Sequence, residues 1–356
     1  MQYLSLSGLE IKSVYGCLPQ RCIDNRDALP ALYGERADSI IKATGIQQRY
    51  ISEPGTSSLD LCVCAAEQML SDMGVDRSAI GAIVSVSFTP HQLMPGNATL
   101  AQHKLGLSEH MVAMDLNFAC SGYAYGLWLA GTLALSLGKP VLLLDGDVQS
   151  AFMSPYDLAT VPVLADAGSA TLIEPSGDKT WTFAFYADGS RSDFLSIPAG
   201  GSAYVADEKA WEYHLYEDSG KRRDRDIAMD GFSIFKFVAQ DVSKLLLRFL
   251  GDQNSSAQDF GAFVPHQANM YMIRQLAKRI GFTPEKLWQS GDVFGNSASA
   301  TVPMTIAFRA TSVFEANADP MQRVLLSGFG AGLSLSIADI YLCSNARYQI
   351  VNYGGS

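Results

Sequence analysis

Short apolar runs rich in β-formers alternate along the chain with longer segments whose apolar positions recur at helical spacing. That alternation predicts an α/β fold. Strands are expected at Ala82–Phe88, Val141–Asp145, Val161–Ile173, Ala262–Val264, Arg323–Gly328 and Ser334–Leu342. Helices are expected at Ser58–Met73, Ser121–Leu137, Ile234–Leu250, Met270–Ile280 and Ala300–Phe314. No linker rich in proline and serine divides the chain, and the most polar stretch, Asp207–Asp226, reads as an exposed loop or insertion. One pattern occurs twice. A small-residue turn at Ala119–Gly122 leads into a helix, Lys139-Pro140 and the strand VLLLDGD; a second at Gly295–Ala298 leads into a helix, Gln322-Arg323 and VLLSGFG. Two related halves are therefore expected, 1–175 and 176–356, each bringing a small-residue helix start to a shared centre.

Composition agrees with that size. Of 356 residues 48% are hydrophobic and 17% charged, enough apolar material for a large core. A net charge of −10 argues against nucleic acid or an anionic membrane as the main partner. It would also repel an acidic carrier protein, so docking of one requires a local basic patch. The cysteines, at 17, 22, 62, 64, 120 and 343, form no paired CxxC pattern and read as reduced thiols of a cytosolic protein. Met1–Ile11 carries no basic region ahead of an apolar stretch, and the apolar run Tyr123–Leu137 is short and rich in Gly and Ala. A soluble, cytoplasmic protein is expected.

Three residues stand where chemistry could be done. Cys120 lies in NFACSGYAYG, between an apolar segment and a helix. A thiol at a helix N-terminus feels the positive end of the macrodipole, so a lowered pKa is expected. His266 follows the short strand GAFVP, at the strand end where α/β folds place working groups. Asn296 lies in FGNSASATVP. Each alone has an ordinary structural explanation, as a buried cysteine, a strand-end histidine and a helix cap.

Together these segments resemble the β-ketoacyl-acyl-carrier-protein synthase III family of the thiolase superfamily. The resemblance rests on ACSG around Cys120, VPHQAN at 264–269, GNSASATVP at 295–303 and SGFGAGLSLS at 327–336. Weaker agreement appears in ATGIQQRYI (43–51), VLADAGSATLIE (163–174), ADGS (187–190) and MDGFSIFKF (229–237). It implies a thiolase-like duplicated five-layer α/β/α/β/α fold, a homodimer, and a catalytic Cys120, His266 and Asn296. The implied reaction is ping-pong: a starter acyl group moves to Cys120, then a malonyl thioester loses CO₂ and its enolate attacks the acyl-enzyme. The backbones of Cys120 and Ala331 are the expected oxyanion donors, with His266 and Asn296 donating to the malonyl thioester oxygen. No metal or redox cofactor is implied, the substrates being CoA or phosphopantetheine thioesters. Met94 falls at a position that limits the acyl pocket across the dimer interface, and Asn269 falls on the pantetheine side.

The chain departs from the family at the adenine clamp. The family's tryptophan and arginines fall at about Ser39, Ala43, Leu158 and Tyr271, which cannot pair with phosphates and stack on adenine. A starter delivered on an acyl carrier protein is one explanation, with Lys236, Arg274, Lys278 and Arg279 as candidates for the docking patch. Two rival functions stay open on sequence alone: acyl transfer from Cys120 to a hydroxyl or amine, and a non-catalytic partner subunit.

Overall fold

The computed structural model describes residues 1–216, 219–316 and 319–354. Two sheets carry the fold. Five strands of the larger one come from the first half of the chain: β2 (Glu10–Leu18), β3 (Ala82–Val86), β4 (Val112–Leu116), β5 (Val141–Val148) and β6 (Asp166–Glu174). The smaller takes β7 (Thr180–Ala187), β8 (Ala262–Pro265), β9 (Met321–Gly330) and β10 (Ser334–Cys343) from the second. The terminal strands cross over: β1 (Tyr3–Ser7) pairs with β7, and β11 (Arg347–Asn352) pairs with β2. The full orders are β11-β2-β6-β5-β3-β4 and β1-β7-β10-β9-β8.

Duplication is visible in this topology. In the run β2-β6-β5-β3 the successive pairs are antiparallel, antiparallel and parallel. The run β7-β10-β9-β8 repeats the same order and the same directions. Helices α1 (Ser58–Met73) and α2 (Asn97–Lys104) cover the outer face of the six-stranded sheet. Helices α4 (Ser243–Asp252) and α5 (Met270–Arg279) cover the outer face of the five-stranded one. Between the sheets lie α3 (Gly122–Leu137) and α6 (Thr301–Ala316), packed on both. The layers therefore run α/β/α/β/α, the thiolase-like arrangement.

Position explains composition. The second central helix, α6, exposes Phe308, Arg309, Thr311 and Ser312, whereas α3 is buried or half-buried from Gly122 to Ala134 and reads GYAYGLWLAGTLALSL without a charge. Its Gly126 lets the helix approach β3 and β5: a Cβ there would stand 2.7 Å from a methyl of Leu143 and 2.9 Å from one of Val86. The outer helix α1 starts at a capping box, Ser57 with Asp60, and ends on Gly74 in the left-handed conformation.

The differences from the sequence-based expectations have local causes. The strand expected from Val161 begins only at Asp166, because the preceding chain turns around the buried carboxylate of Asp157. Its Oδ1 accepts from the amides of Ala159 and Thr160 and from the Thr160 hydroxyl. The helix expected at Ile234–Leu250 starts at Gly231, capped by Asp230, and contains a π turn at Val238–Val242 before α4. The edge strand β4 is half exposed and carries no clean alternation. In the polar stretch Asp207–Asp226, Glu217 and Asp218 lie outside the described residues. The expected exposure is seen from Asp207 to Leu215, where only Ala210 is buried; at the end of the stretch Asp226 is buried against Arg223, and Arg223 and Arg225 lie over the half-exposed Trp211 ring.

Ile306 sits fully buried on α6 between the two sheets. Ile306→Ala should lower unfolding stability by about 2–5 kcal/mol in a denaturant titration. A loss below about 1 kcal/mol would contradict the packing of the central layer.

Candidate active site

Cys120 occupies the turn between β4 and α3, one residue before the N-cap Ser121. Two serines fasten this turn to β10: Ser121 Oγ lies 2.7 Å from Ser334 Oγ, and Ser336 Oγ donates to the Ser121 carbonyl. The end of β9 passes directly over the sulfur. A Cβ on Gly330 would stand 2.7 Å from the Cys120 Cβ and 2.9 Å from its Sγ, so only glycine fits. This approach brings the Ala331 amide onto the thiol beside the amide of Cys120 itself.

Burial pushes the Cys120 thiol up to about 12, helped by the nearby Asp147 carboxylate and opposed by those two amides. The lowered pKa expected of a helix N-terminus is thus overturned, because desolvation outweighs the dipole. Resting Cys120 is a thiol, and its proton needs a base. Asp147 on β5 is itself pushed up to about 7 by burial, with four hydrogen bonds to the Ser87–Thr89 loop pulling it down. Its neighbour Asp145 is raised well above the ordinary carboxylate range by burial and accepts a 2.5 Å bond from Ser299.

His266 follows the last residue of β8, its amide bonded to the Ser327 carbonyl on β9. Its ring is buried, stands edge-on to Phe329 at 5.5 Å, and presents Nδ1 to Thr301 Oγ1 at 2.8 Å. Burial lowers its pKa to about 4, so the resting imidazole is neutral. Asn296 is bound at both ends of its backbone: its amide donates to the Val163 carbonyl, and its carbonyl accepts from Ala165 N and Gln149 Nε2. Its side-chain Oδ1 accepts from the Ala298 amide. Nδ2 donates to the Ala268 carbonyl at 3.5 Å, and its second hydrogen is the one available to a ligand. Ala298 makes its contact with Oδ1 from the left-handed region, φ 53°, rare for a residue with a side chain and costing about 1–2 kcal/mol.

All three side chains line one cavity of about 1070 Å³. Its walls are mostly apolar, with Phe88, Phe118, Phe152, Leu195 and Ile197 among the lining residues. The remaining candidates distribute as follows. Ala331 lines the cavity at Cys120; Asn269 lines it too, but its Oδ1 is engaged in capping α5 through Met272 N. Met94 does not face the cavity of its own chain: Gln92 and Leu93 line it, while Met94 is 85% exposed. Lys236, Arg274, Lys278 and Arg279 are exposed on two neighbouring helical segments, and Lys278 and Arg279 line a groove of about 360 Å³ between them. Of the positions at which the family's adenine clamp falls and this chain departs from it, Leu158 lines the cavity and Ser39, Ala43 and Tyr271 are exposed.

Sequence reasoning missed Thr301, Gln149 and Asp147. Thr301 stands inside the GNSASATVP block, five residues after Asn296, but a threonine opening a helix has no distinctive signal. Among the described residues no group of three or more His, Cys, Asp or Glu could hold a metal ion, and no helix is long and apolar enough to cross a membrane.

Comparison with known proteins agrees with this geometry. Residues 114–189 match the family described as 3-oxoacyl-[acyl-carrier-protein (ACP)] synthase III, and residues 250–341 match its C-terminal part. A β-ketoacyl-[acyl-carrier-protein] synthase III of Nitratidesulfovibrio vulgaris is 30% identical, covering 90% of this chain and 94% of that protein. An acetoacetyl-CoA synthase of a Streptomyces species is also 30% identical, covering the same 90% and 94%. The crystal structure of a 3-oxoacyl-(acyl-carrier protein) synthase from Burkholderia xenovorans superposes with a TM-score of 0.90 at 29% identity, covering 99% of both chains.

Gly330→Ala tests the approach of β9 to the sulfur. The added methyl must move either the thiol or the Ala331 amide. Acyl transfer to Cys120 should fall on the order of 10²-fold while circular dichroism shows the fold retained. Acylation at the wild-type rate would refute the contact.

Proposed function

The chain belongs to the 3-oxoacyl-[acyl-carrier-protein] synthase III family, and from that premise we propose how its own residues divide the condensation between them. It is an acyltransferase that joins an acyl thioester to a malonyl thioester with loss of CO₂. One observation carries the assignment of roles: the cavity that holds the Cys120 thiol also receives His266 and Asn296, from two further turns of the chain.

In the first half-reaction the Cys120 sulfur attacks the starter thioester and gives its proton to His266. Burial keeps the imidazole neutral at rest, so a ring nitrogen has a lone pair free to take that proton. The tetrahedral oxyanion lies toward the amides of Cys120 and Ala331. The first thiol leaves with the proton, and the acyl chain rests against the apolar wall. In the second half-reaction the malonyl thioester oxygen takes up charge as CO₂ departs. Asn296 Nδ2 and His266 Nε2 stabilise it, and the enolate carbon attacks the acyl group, releasing Cys120. Side chains, backbone amides and the substrates' own thioesters supply all of this chemistry.

The halves 1–175 and 176–356 divide the work: the first carries the nucleophile, the second the groups that manage protons and charge. We assign delivery of the starter to an acyl carrier protein. Ser39, Ala43, Leu158 and Tyr271 offer no guanidinium, whereas Lys278 and Arg279 line a groove with Phe235, and Lys236, Arg274 and Phe232 are exposed on the same two helical segments. A carrier's acidic surface fits this patch despite the negative average charge. The active form is a homodimer. The edge of β4 is unpaired among the described residues, and Leu93, Met94 and Met114 are exposed near it, features a stable monomer covers. Met94 then shapes the partner's acyl pocket. Six free thiols suit a reducing cytoplasm, where carrier-bound acyl groups are made.

Intact-mass analysis after incubation with acyl-carrier protein should show one acyl adduct on the wild type and none on Cys120→Ala. Asn296→Ala should still accept the adduct but release CO₂ from malonyl-carrier protein about 10²–10³-fold more slowly. An acyl adduct on Cys120→Ala, or condensation by Asn296→Ala at the wild-type rate, would overturn the assigned roles.

A further inference from the structure

The hydrogen bonds around His266 assign a proton on which both half-reactions depend. Thr301, the first residue of α6, places Oγ1 2.8 Å from His266 Nδ1, 2.8 Å from the Ala298 carbonyl and 3.2 Å from the Gln267 amide nitrogen. All of these groups are buried. A hydroxyl has one proton and two lone pairs; a carbonyl can only accept and an amide N–H can only donate. One arrangement satisfies every contact. The Thr301 hydroxyl donates to Ala298 O, and its lone pairs accept from Gln267 N–H and from His266 Nδ1–H. The Ala298 carbonyl keeps the Thr301 amide as a second donor, but turning the hydroxyl toward Nδ1 would leave Oγ1 and the Ala298 oxygen facing each other at 2.8 Å with no hydrogen between them. The left-handed backbone of Ala298 is what presents its carbonyl here and its amide to Asn296 Oδ1.

We propose that Thr301 is a positioning residue that locks His266 as the Nδ1–H tautomer, so that Nε2 takes the Cys120 proton as a bare lone pair in acylation, holds the proton that condensation consumes, and is the one ring atom that exchanges protons. This rests on the catalytic reading of His266 given above, and it fixes the order in which protons move.

During acylation the Cys120 S–H proton passes to Nε2 as the S–C bond forms. It then moves to the departing thiolate as the donor's C–S bond breaks, and the imidazole is neutral again. Condensation differs. An acyl-cysteine, a malonyl carboxylate and one proton give the free thiol, CO₂ and the 3-oxoacyl thioester, so each turnover consumes a proton. With Nδ1–H fixed, that proton can be held only at Nε2. The arriving malonyl carboxylate supplies the negative charge that offsets the imidazolium. The carbon–carboxylate bond breaks, the enolate oxygen accepts from Nε2–H and from Asn296 Nδ2–H, and the new C–C bond expels the Cys120 thiolate. The thiolate takes the Nε2 proton, which restores the starting state. Nδ1–H stays on Thr301 throughout.

Thr301→Val keeps the shape and removes the acceptor; Thr301→Ser restores it. In ¹⁵N-histidine spectra, with His266 assigned by difference from His266→Ala, the wild type and the serine variant should show a protonated Nδ1 and an unprotonated Nε2. The valine variant should show the reverse. Acylation of Cys120 should fall on the order of 10–100-fold in Thr301→Val, the usual cost of removing a histidine's orienting partner, and recover in Thr301→Ser. Decarboxylation of malonyl thioester should stay within a few-fold of wild type, because Nε2–H is then already present. A wild-type spectrum with Nε2 protonated, or an equal loss of both half-reactions in the valine variant, would overturn the proposal. His266→Ala acylating at the wild-type rate would instead remove the catalytic reading beneath it.

Discussion

The chemistry of this protein depends on keeping a thiol and an imidazole uncharged, on the wall of the same mostly apolar cavity as a carboxamide. Burial raises the thiol to about 12 and lowers the imidazole to about 4. Neither group carries charge at rest, and an ion pair forms only when a substrate arrives to share it. This arrangement suits a reaction in which a sulfur must attack, hold an acyl group, and leave again. It also protects the acyl-enzyme, because the donors that stabilise an oxyanion are present while a competing hydroxide is disfavoured. The mostly apolar walls therefore serve the electrostatics as well as the acyl chain.

The duplicated fold makes that cavity possible. Each half contributes a central helix that starts from a small-residue turn, α3 after Cys120 and α6 after Asn296, and both helices lie between the same two sheets. The strand ends that meet there come from opposite halves. Gly330 on β9 covers the sulfur of the first half, and β8 delivers His266 beside it. Residues more than a hundred positions apart are thus held by sheet register rather than by loops, which is how a site keeps near-attack geometry. Strain is concentrated at Ala298, whose amide and carbonyl fix Asn296 and Thr301 together.

Much of this was legible in the sequence where the pattern and the environment agree. The helix Ser58–Met73 was readable to its ends because its capping box and terminal glycine are local signals. Cys120, His266 and Asn296 each had an ordinary structural explanation taken singly, and were singled out only by the resemblance of the four ordered blocks around them to one family. The rest was hidden for physical reasons. The buried Asp157 turns the chain where apolar residues imitate a strand, and the half-exposed β4 carries no alternation. The direction of the Cys120 shift could not be read from its place before a helix, because desolvation depends on Phe88, Phe118 and β9, all distant in sequence. Thr301 was invisible for the same reason: its role lies in which atoms surround one hydroxyl.

The most direct test of the account is a titration of the nucleophile itself, by ¹³C resonance of the Cys120 Cβ in labelled enzyme, assigned against Cys120→Ala. The account predicts the chemical shift of a thiol through pH 10, with no step where histidine titrates. A thiolate signal at pH 7, changing together with His266, would show a resting ion pair and contradict it.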